Sequence, residues 1–287
     1  MLPMISRPAT INSGVKLFSA CLFKVKAPPH TADKIINKIQ FIVYILILSY
    51  PSLCAYVCQK LIFLNLYMKI LSINISEPKK IVFANKELFS SIYKKPVDGE
   101  VEITENGIIG DKQADLSVHG GFEKAIYAYS YSHYKSWSEQ MGKDYSNDYG
   151  LVGENLTIDD FDEKNLYIGD EVTISNCILK ITQPRIPCFK LGIKMNDRKF
   201  PQLFSQSGNV GAYMKVLTPG KISKGDEIII TRQESSSMTV YEIMYLLYKD
   251  KQNTDQMKRA LEISSLTEDI KEKFRERLLK LGDYSSL

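Results

Sequence analysis

Residues 68–232 run as a succession of short β-rich stretches, each cut off by glycine, proline, asparagine or aspartate, and this rhythm limits the possible folds more than any other feature. Alternating or β-branched runs occupy residues 70–75, 100–104, 125–129, 171–174, 178–182, 212–216 and 227–231. Between them stand Asp98-Gly99, Asn106-Gly107, Gly169-Asp170 and Gly225-Asp226, dipeptides that accept left-handed backbone and reverse the chain. Only 132–141 and 200–207 read as helices within this stretch. Many short strands with few helices predict a mostly-β barrel or sandwich. No Gly-x-Gly-x-x-Gly or Walker pattern occurs, so neither a dinucleotide nor a nucleoside triphosphate is indicated.

The pattern changes on both sides. Around 233–238 the composition shifts to Glu and Ser, which reads as a linker. From 239 to 287 it is helical. Thr239 and Glu242 have capping-box spacing ahead of 240–248, 255–263 is amphipathic, and Ser265 with Glu268 precedes a third helix that runs to Leu281 and stops at Gly282. The expected organisation is an extension (1–67), a β domain (68–232), a linker (233–238) and a three-helix domain (239–287).

Charge follows these divisions. Residues 1–67 hold seven Lys or Arg and one acid; removing these from totals of 37 and 33 leaves 30 basic and 32 acidic residues in 68–287. The basic balance therefore belongs to the extension. The three-helix segment has nine of each sign, which offers little counterion release, so a DNA-reading helical module and a nucleic-acid partner are not expected. Residues 39–59 carry no charge and are flanked by Lys34, Lys38 and Lys60, the layout of a membrane anchor, although Pro51 and several polar residues interrupt it. The leading expectation is a mis-assigned start, with the protein beginning at Met68 and remaining cytoplasmic; a genuine membrane anchor is the alternative.

Three segments carry candidate chemistry. In Gln183-Pro184-Arg185-Ile186-Pro187-Cys188-Phe189-Lys190-Leu191, two prolines stiffen the backbone, and Arg185 and Lys190 bracket Cys188 with charge that favours a thiolate, which is both nucleophile and soft metal ligand. An inert buried cysteine beside structural prolines is the bland alternative. Cys177, inside an apolar run, reads as structural. The second segment holds His119-Gly120-Gly121, where paired glycines permit close backbone approach and point amides at an anion; a plain turn and a structural histidine account for it equally. In the third, Gly153-Glu154-Asn155-Leu156-Thr157, a polar triplet enters a strand, which a simple turn would also explain. With no Cys-x-x-Cys or His cluster, neither zinc nor a four-thiolate cluster is supported.

Taken together, the runs GDKQADLSVHGG (110–121), AIYAY (125–129), GENLT (153–157), IGDEV (168–172), QPRIPCFKL (183–191) and AYMKVLTPGKISKGDEI (212–228), with the helical tail, resemble the YiiM group of MOSC-domain proteins. The resemblance covers nearly everything after Met68 and nothing before it. It implies a MOSC-type β-barrel with short peripheral helices, followed by a small three-helix domain. It also implies a molybdopterin-type molybdenum cofactor ligated by Cys188, and reduction of small N-hydroxylated compounds such as hydroxylaminopurine base analogues. Arg185, Lys190, Lys94 and the His119-Gly120-Gly121 turn are the expected anion-binding residues, and Asn155 is expected to hydrogen-bond the pterin or the substrate. A cofactor or sulfur carrier using a Cys188 persulfide is the alternative. With no flavin, haem or iron–sulfur motif in the chain, a separate reductase is the expected electron donor. Two departures stand out. Gly208-Asn209-Val210-Gly211-Ala212-Tyr213 lacks the group's usual Arg and Trp, and Ser91 stands where Gly is common.

Overall fold

The computed structural model describes residues 68–114, 120–232 and 237–284. The extension 1–67 with its charge-free segment, His119 and most of the expected linker lie outside them. Among the described residues no helix is long and apolar enough to cross a membrane.

Among the described residues thirteen strands form in chain order. They are β1 (Met68–Ile75), β2 (Lys79–Phe83), β3 (Lys86–Ser90), β4 (Lys95–Val97), β5 (Val101–Thr104), β6 (Gly107–Ile108) and β7 (Ile126–Ser130). The chain continues through β8 (Leu156–Ile158), β9 (Glu171–Ile174), β10 (Cys177–Pro184), β11 (Ala212–Thr218), β12 (Gly220–Ile222) and β13 (Glu227–Thr231). Seven of them, in the order β13-β9-β10-β11-β7-β8-β1, close into a barrel because β1 returns to β13 through Met68↔Ile228 and Lys69↔Glu227. Closure leaves no open edge along that ring. Every pairing in the barrel is antiparallel except β7–β8. The far end of β1 carries β4.

The barrel interior follows from side-chain alternation. Along β9, Val172 and Ile174 are buried while Glu171 and Thr173 are not, and along β10 Leu179 and Ile181 face the same core. β7 departs from alternation, being buried at all five positions. Its outer face is covered by α1 (Ser132–Met141) and α3 (Phe200–Ser207): Phe204 lies tilted against Tyr129, Trp137 stacks on Phe204 and tilts against Phe200, and Trp137 Nε1 donates to the Tyr129 hydroxyl over 2.6 Å. Each such buried ring contributes about 1.5–3 kcal/mol of transfer free energy.

The structure adds elements that the sequence pattern did not announce. β2 and β3 form a hairpin turned by Ala84 (φ 49°) and Asn85 (φ 60°), a mirror-image turn built without glycine. A six-residue helix, α2 (Phe189–Lys194), follows Cys188 directly. At the C-terminus α4 (Val240–Tyr248) opens with the expected capping box. Glu242 N donates to Thr239 Oγ1 over 3.0 Å, and Thr239 N donates to Glu242 Oε2 over 2.7 Å. α5 (Thr254–Glu262) is capped by Asn253. The Ser265–Glu268 cap expected for the third helix does not form. Instead α6 (Glu268–Lys280) starts after Thr267, whose hydroxyl donates 2.6 Å to Gln183 Oε1 on β10. The helices pack on the barrel wall: Val240 N bonds to Leu166 O, and the expected linker's last two residues, Ser237 and Met238, are buried with both bonded to Ile168.

Candidate functional site

β10 ends at Pro184, and Arg185, Ile186 and Pro187 lead to Cys188, the N-cap of α2 in extended conformation. Cys188 therefore stands at the positive end of a short helix rather than on a bare loop, a position that favours an anion at its sulfur. It is partly exposed and lines a cleft of about 100 Å³ that opens to solvent. Cys177 has no such surroundings. It is fully buried at the start of β10, and burial pushes its thiol up to about 11.

Arg185 is the most unusual residue of the cleft. It is 6% exposed, its guanidinium lies 5.2 Å from the Tyr127 ring and 5.4 Å from the Phe204 ring, and its Nη1 is buried with no hydrogen-bond partner. Burial alone would lower its pKa, but the neighbouring Tyr127, Tyr213 and Cys188 outweigh that and hold it above the ordinary value. A buried cationic donor left unpaired is costly, which marks a position for an external acceptor.

Opposite it, Lys94 forms a 2.5 Å ion pair with Asp111, both nearly buried. Asp111 also accepts from Ser76 N (2.8 Å) and from Asn155 Nδ2 (2.9 Å). Burial lowers the Lys94 pKa, and Asp111 and Glu154 oppose that effect. Asn155 lines the cleft, yet its amide is committed: Nδ2 also donates to Asn74 O and Oδ1 accepts from Tyr127 N. It ties β1, β7 and the entry to β8 together. Beneath it the fully buried Glu154 carboxylate accepts from Gly150 N, Val152 N, Thr157 Oγ1 and the Tyr134 hydroxyl.

Of the residues predicted from sequence, Lys94, Asn155, Arg185, Cys188 and Lys190 line one cleft. Gly120 and Gly121 do not line it. Gly121 adopts φ 98° to start the single turn Phe122–Lys124, and its N–H donates to Gln113 Oε1. A Cβ there would meet nothing within 4 Å, so backbone conformation rather than close approach requires this glycine. Ser91, the departure from the group's usual Gly, also lines the cleft and donates its hydroxyl to Lys112 O. Asp111, Lys124, Tyr127 and Tyr213 were not singled out from the sequence. Lys194 was missed too. From α2 it donates to Ile92 O (2.8 Å) and to Gly150 O, and burial pushes its pKa down to about 8.

A barrel of this connectivity, with a cysteine and an arginine whose Nη1 lacks a partner at one cleft, defines a class. Residues 115–229 match the MOSC domain, and residues 238–281 match the YiiM-like, 3-alpha helix domain. The chain is 33% identical over 199 residues to protein YiiM of Escherichia coli (strain K12), covering 68% of this chain and 88% of that protein. It is 31% identical over 213 residues to the uncharacterized protein YflK of Bacillus subtilis (strain 168), covering 73% and 96%. The crystal structure of YiiM from Geobacillus stearothermophilus superposes with a TM-score of 0.62 at 28% identity, covering 74% of this chain and 99% of that one. The chain belongs to the MOSC-domain proteins of the YiiM group. MOSC domains are associated with the molybdenum cofactor, and a 163-residue stretch is also 32% identical to a much longer Gibberella moniliformis protein named reductase, of which it covers 29%.

Proposed function

We propose that this protein reduces N-hydroxylated compounds to amines with a molybdopterin-type molybdenum cofactor, taking electrons from a separate reductase. The observation that carries the reading is the buried, unpartnered Arg185 Nη1 in the same cleft as Cys188. The donor set fits the cofactor: a thiolate suits a soft metal, and a guanidinium suits the pterin's phosphate. Among the described residues no group of three or more His, Cys, Asp or Glu side chains is placed to hold a metal ion, so Cys188 would contribute a single ligand beside the cofactor's own sulfurs.

When bound, the cofactor supplies the redox change that removes oxygen from nitrogen: R–NHOH plus two electrons and two protons gives R–NH2 and water. The chain does the rest. Cys188 Sγ would ligate the metal, and Arg185 Nη1 with Lys190 would hold the phosphate. Tyr127 and Tyr213 line the same cleft, with ring centroids 5.1 Å apart. Lys94 Nζ holds a proton at the cleft, and burial weakens its grip on it, which suits a reaction that consumes protons. The test is reduction of 6-N-hydroxylaminopurine by cofactor-loaded protein with an artificial electron donor. Amine formation that disappears in Cys188→Ser is expected; turnover by the variant at the wild-type rate would refute the assignment.

A further inference from the structure

The β2–β3 hairpin stands outside the barrel, yet its tip rests on the residue that follows Cys188. Among the described residues its two strands pair only with each other, and Ser90 is the only buried residue in either strand. A two-stranded ribbon of this kind is marginally stable by itself, and Ala84 at φ 49° holds a conformation that an L side chain resists. The hairpin is supported at both ends. At its base Ser76 N donates to Asp111 Oδ1 and Ser91 Oγ donates to Lys112 O, and Ser90 and Ser91 line the cleft. At its tip the Phe83 ring stacks on Phe189, with centroids 4.8 Å apart and planes at 29°.

Phe189 is the first residue of α2, a helix too short to stand on its own hydrogen bonds. The far part of α2 is anchored by the buried Leu191 and by Lys194, which donates to Ile92 O and Gly150 O. The near end differs. Phe189 is 43% exposed, and Phe83 is the ring it packs against. Without that contact the first turn, and Cys188 with it, is the part of α2 that opens most readily.

We infer that the β2–β3 hairpin is a clasp on the cysteine: Phe83 is a positioning residue that acts through Phe189 to hold Cys188 in place at the cleft. The inference deepens the reading of Cys188 as the residue that meets the metal, and its test does not pass through the metal.

The test is the rate at which iodoacetamide alkylates Cys188, followed by peptide mass spectrometry on the full chain from a host that makes no molybdopterin. Alkaline pH is used, so that the rate reports access rather than ionisation. Wild type is compared with Phe83→Ala, Phe83→Tyr, Phe189→Ala and Phe83→Ala/Phe189→Ala, and the buried Cys177 in the same digest reports whether the barrel is intact. Phe83→Ala should speed alkylation of Cys188 about three- to tenfold, the worth of a lost ring pair, while Cys177 stays protected. Phe83→Tyr keeps the ring and should keep the wild-type rate. In the Phe189→Ala background, removing Phe83 should add nothing, because the contact is already gone. An unchanged rate in Phe83→Ala, an equal further increase in the Phe189→Ala background, or exposure of Cys177 together with Cys188 would overturn the clasp. The molybdenum content of wild type from a host that makes the cofactor is read separately; its absence would remove the metal assignment and leave the clasp standing.

Discussion

The two described cysteines show how surroundings divide one residue type into two roles. Cys177 is sealed into the barrel with a raised pKa, whereas Cys188 caps a helix beside a buried guanidinium. Replacing Cys188 by Ser should remove most molybdenum retention, because a hydroxyl is a poor ligand for a soft metal, while Cys177→Ser should lose only some stability. Elemental analysis and urea unfolding of the two variants separate these outcomes. Arg185→Ala should weaken cofactor retention by the worth of a charge-assisted contact, about 1.5–3 kcal/mol, without unfolding the chain; pterin content after gel filtration is the measurement. Prolines and flanking charge made Cys188, Arg185 and Lys190 legible in the sequence. The partners were not: Asp111 meets Lys94 across 17 residues and Asn155 across 44, separations that leave no periodic trace.

At the scale of elements, the strands with alternating residues were read close to their observed limits, as were the two helices over Ser132–Met141 and Phe200–Ser207. What escaped was short or lacked the usual punctuation. The β2–β3 hairpin turns through Ala84-Asn85 instead of a glycine, and α2 has only six residues behind Pro187, too few for helical periodicity to register. That helix matters, since Lys194 on it bonds Ile92 O and Gly150 O and so ties the Cys188 segment to the loop preceding Lys94. Its folded pKa of about 8 lies below the ordinary 10.5. Between those values the unfolded chain keeps a proton that the folded chain has released, so wild-type stability should rise with pH across that window relative to Lys194→Met. Urea midpoints of the two proteins at either end of the window check the sign; a falling or flat difference would contradict it. The third helix carries a second prediction. Thr267→Val leaves Gln183 Oε1 buried without its donor and should cost about 1–3 kcal/mol in chemical denaturation.

For the whole molecule, strand rhythm alone left barrel and sandwich open, because closure depends on a pairing between Met68 and Ile228 that local sequence does not encode. The resemblance to the YiiM group favoured the barrel, and the ring β13-β9-β10-β11-β7-β8-β1 is what forms. Among the described residues β1 pairs with β4, β8 and β13, all within the barrel domain. A chain beginning at Met68 should therefore fold with an unfolding midpoint and activity equal to those of the full-length protein, as calorimetry and the hydroxylaminopurine assay would show. The proposed function requires one cleft to hold a molybdenum cofactor through Cys188. Its most direct test is the molybdenum content of wild type, Cys188→Ser and Cys177→Ser, each purified from a host that makes molybdopterin. Near-stoichiometric metal in wild type and Cys177→Ser with almost none in Cys188→Ser is the result predicted. Equal metal in all three, or none in wild type, would contradict it.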